Sequence, residues 1–200
     1  YDSSLAFQTT GSAMAAAYSA TNNHGTVDNA AALMAALAFM DAYPAESAYI
    51  GSNALRGMEL NIYKWAPEGV WYEGAGYWEL AMQFTAKWLD TLDTSFKTDL
   101  GMGNLEGLDL SVESELSSQS PLGIYNFADA MPQNVYVPEM YYLANKYNVE
   151  GVYASIDNAT GGNKWADTED MALAMMWYDP AMAHSTKPLP IDFLMDSIDT

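Results

Sequence analysis

Residues 69–92 read GVWYEGAGYWELAMQFTAKWLDTL, an aromatic and acidic segment that runs through two glycines into an amphipathic helix. Gly74 and Gly76 favour a turn at the junction because glycine adopts backbone conformations that other residues avoid. Apolar residues then recur at steps of three and four, the period of one helix face. The predicted inward stripe is Tyr77, Ala81, Phe84, Trp88 and Leu92. The segment therefore predicts a long helix that begins near Gly76 and packs against a core.

Helical spacing also dominates the rest of the chain. Residues 28–40, with Asp28 as the cap, carry apolar side chains three and four positions apart, and residues 46–65 repeat the pattern. Further helices are predicted at residues 5–20, 137–147 and 167–177, a lone helix or ordered loop at 101–119, and an extended or turn segment at 123–129. No alternation is long enough to build a sheet. We therefore expect an all-α fold of antiparallel helical hairpins arranged around an axis.

Length and composition predict one packed domain. A chain of 200 residues that is 50% hydrophobic can bury a core without disulfides, and it contains no cysteine. We expect a helical domain at residues 1–186 and a linker or exit segment at 187–200 that leads toward an absent C-terminal domain. No apolar run approaches the roughly 20 residues of a membrane-spanning helix, so no membrane partner is expected. No basic leader region follows Tyr1, so a fragment or a mature form is expected.

The charge balance restricts the possible partners. The chain has 7 Lys and Arg against 26 Asp and Glu, which gives a formal net charge of −19. Clustered cations are needed to neutralise phosphates, so nucleic acid is excluded as a partner. An acidic polysaccharide is also repelled at long range. Any anionic substrate must therefore be held by local groups.

Three short motifs resemble the heparinase II/III-like polysaccharide lyases. They are Asn22-Asn23-His24-Gly25, Tyr72-Glu73-Gly74-Ala75-Gly76-Tyr77-Trp78 and Tyr125-Asn126-Phe127-Ala128-Asp129-Ala130. The similarity covers about residues 13–147. It implies an incomplete α/α toroid, followed in that family by a C-terminal β-sandwich domain that is absent here. It also implies an acidic polysaccharide or oligosaccharide as partner, and a periplasmic or secreted location in a bacterium.

The resemblance also implies roles for individual residues. In that family an Asn or His of the first motif neutralises the uronate carboxylate, and a Tyr of the second acts as Brønsted acid and often as base. By position these catalytic residues are Asn23, His24 and Tyr77, with Tyr72 as the nearest rival of Tyr77. No metal or other cofactor is implied. The expected substrate-binding residues are Asn22, Trp71, Tyr72, Glu73, Trp78, Asn126 and Asp129.

The chemistry of β-elimination suits these residue types. The reaction removes the C5 proton of a uronic acid, which is too weakly acidic unless the charge of the carboxylate is offset by donors such as an Asn amide or a His N–H. A tyrosine with a pKa of about 10 acts as a base only beside a helix N-terminus or a cation, but needs no shift to act as an acid. Aromatic rings such as Trp71 and Trp78 offer stacking surfaces to sugars. Asn126 and Asp129 are expected to bind ring hydroxyls or to brace their loop.

Other interpretations of the same residues stay open. Glu73 and Glu79 are also suited to form the carboxylate pair of a glycoside hydrolase. His24 is compatible with a structural role in a polar turn, and Tyr77 with a place in the core. A further alternative is a non-catalytic helical domain that binds glycans or a partner protein. His184 is expected to be an ordinary surface or packing residue.

Overall fold

A computed structural model of the protein describes residues 22–120, 122–125, 127–129, 135–160, 168–184 and 189. These residues are mostly helical, which confirms the all-α prediction. The α-helices are α1 (Asn23–Ala38), α2 (Pro44–Ile62), α3 (Ala75–Phe96), α4 (Ser111–Ser117), α5 (Glu139–Tyr147), α6 (Val152–Thr160) and α7 (Thr168–Trp177). Short 3-10 helices occupy Tyr63–Trp65, Met102–Asn104, Leu108–Leu110 and Met182–His184. Two strands, β1 (Gln119–Ser120) and β2 (Gly123–Ile124), pair in an antiparallel hairpin.

Helix α1 packs against both α2 and α3. Its contact with α2 is close because Gly57 has no side chain, and a Cβ atom there would collide with the side chain of Asn29. Asn29 is fully buried and donates from Nδ2 to the carbonyl oxygen of Gly25 at 2.6 Å. Leu33 and Met58 complete the buried interface from the two sides.

The second half of the described chain forms an aromatic cluster that joins α5, α6 and the residues after α7. The rings of Tyr141 and Tyr153 lie with centroids 4.4 Å apart, and Tyr178 contacts both. Lys146 on α5 forms ion pairs with Asp93 at 3.1 Å and with Asp99 at 2.8 Å. The cluster and the ion pairs connect the end of α3 to the later helices.

The structure corrects several boundaries. Helix α1 begins at Asn23 rather than at residue 28, so the Asn-Asn-His-Gly motif lies at the start of this helix. Residues 152–160 form a helix that the sequence pattern did not predict, and residues 119–124 form a short hairpin. On α3, Tyr77 is 36% exposed while Trp78 is buried, so the inward stripe passes through Trp78. The helix predicted at residues 5–20 lies outside the described residues. The linker or exit segment predicted at residues 187–200 also lies outside them, apart from residue 189.

Candidate active site at the start of α1 and α3

The first turn of α1 is joined to the loop before α3 by one carboxylate. Glu73 accepts a hydrogen bond at Oε2 from the backbone N–H of Asn23 at 2.9 Å. The same oxygen accepts from the indole Nε1–H of Trp71 at 3.0 Å. Two of the motifs recognised in the sequence, 50 positions apart at this contact, therefore meet in the fold.

The loop that carries Glu73 is a tight turn. Gly74 donates its N–H to the carbonyl oxygen of Trp71 at 2.9 Å and has φ 94°, a backbone conformation that favours glycine. Helix α3 begins at the next residue, and Tyr77 is its third residue. The side chain of Tyr77 is therefore in the first helical turn and is 36% exposed.

The backbone N–H groups of the first four residues of α1 are hydrogen-bonded within the protein. Glu73 accepts a hydrogen bond from the N–H of Asn23, and the side-chain oxygen of Asn23 accepts one from the N–H of His24 at 2.8 Å. The carbonyl oxygen of Asn22 accepts hydrogen bonds from the N–H groups of Gly25 at 3.0 Å and Thr26 at 3.4 Å. These N–H groups are therefore not available to a ligand at this helix end.

The two catalytic candidates of the first motif differ in exposure. His24 is exposed, whereas Asn23 is 3% exposed and its amide oxygen caps the His24 backbone. Asn22 is half-buried, and its Oδ1 is buried without a hydrogen-bond partner among the described residues. His24 is thus the more exposed of the two candidates, and the Asn23 side chain braces the turn.

The two tryptophans expected to bind substrate are both buried. Trp71 and Trp78 are each 1% exposed, so protein atoms cover the ring faces that a sugar would need. Trp65 lies between them, with its ring centroid 4.6 Å from that of Trp71 and 6.3 Å from that of Trp78. The three indoles form the core beneath the loop. Their contribution is to hold the loop in place.

Tyr72 is the exposed aromatic ring of the loop. It is 47% exposed and lies against Trp71, with ring centroids 5.4 Å apart. Burial and the neighbouring charge of Glu73 raise the pKa of Tyr72, which disfavours the phenolate and a role as base. Asp129 is exposed, and Asn126 lies outside the described residues.

A group of carboxylates from four helices faces the interior on another side of α3. Burial, and then the charge of Asp170 on α7, raises the pKa of Glu79. Burial raises the pKa of Glu115 on α4 to about 8. A hydrogen bond from Gln119 lowers this pKa, and the charge of Glu79 raises it. Burial likewise raises the pKa of Glu139 on α5 to about 7. No local sequence pattern signals this cluster because its members lie far apart in the chain.

The cluster bears on the glycoside hydrolase alternative. Glu73 is held by two hydrogen bonds, whereas the electrostatic neighbours of Glu79 are Glu115, Glu139 and Asp170. Glu139 is 0% exposed and Glu115 is 6% exposed, so neither carboxyl group is open to a sugar. A hydrolase needs an acid and a base on opposite sides of one glycosidic bond. Glu73 and Glu79 instead face different surroundings.

A cavity of about 430 Å³ lies at a separate place, beside the 3-10 helices. It is lined by Pro67, Leu105, Tyr147, Asn104 and the carboxylates Glu106 and Asp109, among others. None of the residues that the sequence predicted for the site lines it. Its two carboxylates would repel an anionic sugar.

The comparisons with known proteins do not assign the chain to a family. No protein-family model matches the chain, and no curated protein matches it. Among the described helices, none has the length and apolar character to cross a membrane. Within the same residues, no group of three or more His, Asp and Glu side chains is placed to hold a metal ion.

Proposed function

We propose that the chain is the helical part of a polysaccharide lyase that cleaves a uronate-containing polysaccharide by β-elimination. The observation that supports this most is the hydrogen bond from Asn23 to Glu73, because it joins the His24 turn to the loop that leads to Tyr77. Both candidate side chains are exposed next to this junction. The same proposal includes an incomplete α/α toroid, a C-terminal β-sandwich domain as partner, and a periplasmic or secreted location.

The proposed reaction uses His24 and Tyr77. His24 donates a hydrogen bond to the uronate carboxylate, which stabilises the negative charge that develops when C5 loses its proton. Tyr77, as a phenolate in the first turn of α3, takes the proton from C5, and the electron pair left on C5 forms the C4–C5 double bond. As the C4–O4 bond breaks, the same tyrosine returns the proton to O4. The products are an unsaturated uronate at the new non-reducing end and a free hydroxyl on the leaving sugar.

The experiment that tests the proposal offers the protein a panel of alginate, heparan, chondroitin and pectic polysaccharides. We expect the ultraviolet absorbance of unsaturated uronates to rise on at least one of them, together with new reducing ends. New reducing ends without this absorbance would indicate hydrolysis. Binding without either product would indicate a non-catalytic glycan-binding domain. Either result would overturn the lyase proposal.

Replacing Glu73 by alanine should destabilise the protein and slow the lyase reaction. The change removes two hydrogen bonds to a carboxylate, so we expect the free energy of unfolding to fall by about 2–3 kcal/mol. Displacement of the His24 turn from Tyr77 should lower kcat by about tenfold or more. Urea unfolding and initial rates measure the two effects.

The matched control is Glu59→Ala, because Glu59 is exposed on α2. It should change the free energy of unfolding by less than about 0.5 kcal/mol. A Glu73→Ala protein with unchanged stability and only a raised KM would show that Glu73 binds substrate rather than positioning the turn.

A further inference from the structure

Lys64 lies beside the candidate active site, although it belongs to a different element. It is the middle residue of the 3-10 helix Tyr63–Trp65, which follows α2. Its Nζ atom lies 5.9 Å from the ring centroid of Tyr72. The sequence motifs contain no cation, and this contact brings one of the seven Lys and Arg residues of a chain with net charge −19 to their edge.

The ring beneath Lys64 is firmly supported. Tyr72 is 47% exposed and contacts the buried Trp71, at 5.4 Å between centroids. Trp71 in turn packs on Trp65 at 4.6 Å and donates to Glu73. An exposed ring on a rigid base gives a sugar a stacking surface at low cost in conformational entropy.

The ammonium group of Lys64 is open to an anion. Lys64 is exposed, and no carboxylate of the described residues lies within ion-pair distance of it. Its flexible stem allows the charge to move from the ring to a ligand. Because burial and Glu73 raise the pKa of Tyr72, the phenol stays protonated and adds no negative charge that would repel such a ligand.

We propose that Lys64 and Tyr72 form a subsite for a second uronate residue of the polysaccharide, next to the one that is cleaved. The sugar ring stacks on Tyr72, and its carboxylate pairs with Lys64. A neutral sugar can stack there but gains nothing from the cation. The subsite therefore selects polymers with consecutive uronates, and this inference rests on the proposed substrate class.

The test measures binding by calorimetry with the full chain carrying Tyr77→Phe, so that the ligand is not consumed. The probes are tetramers of galacturonate, mannuronate and glucuronate, and the carboxyl-reduced neutral form of whichever binds most tightly. We expect Lys64→Gln to weaken binding of that uronate tetramer by about fivefold and to leave the neutral form unchanged. Lys64→Arg should keep the affinity within about twofold because it keeps the charge.

The charge-matched control is Lys97→Gln. Lys97 is exposed at the opposite end of α3, about 30 Å from Tyr77 along the helix, so this change should leave both affinities as they are. Equal affinities of wild-type and Lys64→Gln proteins for the uronate tetramer would overturn the subsite, and so would failure to bind any uronate tetramer. Weaker binding by Lys64→Gln without any unsaturated product from the wild type would support the subsite and overturn the lyase proposal.

Discussion

Replacing Tyr77 by phenylalanine is expected to lower the rate of unsaturated product formation by about 10²–10⁴-fold, the usual contribution of a general acid or base. The change removes only the hydroxyl group, so the ring keeps its place in the first turn of α3. The side chain is 36% exposed, and we expect the free energy of unfolding to change by less than about 0.5 kcal/mol. Initial rates on the best substrate of the polysaccharide panel, with urea unfolding in parallel, measure the two quantities.

Tyr72→Phe is the control for this prediction, since Tyr72 lies in the same loop. Burial and the charge of Glu73 raise its pKa, which disfavours the phenolate and so a role as the base. We expect its loss to leave kcat within about threefold of the wild type, because it has no part in the proton transfer. Undiminished turnover in Tyr77→Phe, with a large loss in Tyr72→Phe, would reverse the two assignments.

The long helices were predictable because each has a local signal. Pro44 begins α2, where a proline costs no hydrogen bond, and the two glycines of the turn precede α3. The predicted start of α1 was five residues too late, and the reason is physical. Asn22 and Asn23 favour turns by composition, but Glu73 from 50 residues away satisfies the first N–H and extends the helix. A contact of that range leaves no trace in local sequence.

The candidate site was predictable as a pair of segments, but not in its details. The sequence pattern placed Tyr77 on the inward stripe of the helix, although its neighbour Trp78 lies only one position away. The structure buries Trp78 and exposes Tyr77. Lys64 was missed because it comes from another element, and the Glu79 cluster was missed because four separate helices contribute to it. Residues that converge from distant elements require the fold itself.

The buried carboxyl groups should make the protein more stable in mild acid than in mild base. Unfolded glutamates titrate near 4.5, whereas the folded protein holds the pKa of Glu139 at about 7 and that of Glu115 at about 8. Between these values the folded state binds protons that the unfolded chain has lost. The free energy of unfolding should therefore fall as pH rises from about 4.5 to 8, by on the order of 5 kcal/mol. Urea unfolding across this range measures the change.

The surroundings of the two groups explain why the protons are held. Glu139 is 0% exposed, and its carboxyl oxygens have no hydrogen-bond partner of good geometry among the described residues, although its own backbone N–H lies near. Lys87 lowers its pKa, but burial dominates, and Asp170 and Glu79 oppose the lysine. Asp99 titrates with the opposite sign, since Lys146 and neighbouring backbone N–H groups lower its pKa. The contribution of Asp99 to the free energy of unfolding is lost only in stronger acid, outside the range of pH from about 4.5 to 8.

Neutral variants separate this effect from the repulsion of a highly acidic surface. Glu115→Gln and Glu139→Gln keep the volume of the side chain but cannot lose a proton. Each should therefore remove the contribution of about one titrating proton from the slope of the free energy of unfolding against pH. Together they should make the protein more stable than the wild type at a pH of about 8. Glu59→Gln, at an exposed position, should keep the wild-type pH profile. If the wild-type free energy of unfolding is level or rises across this range, the carboxyl groups ionise without penalty and the interior cluster is open to water.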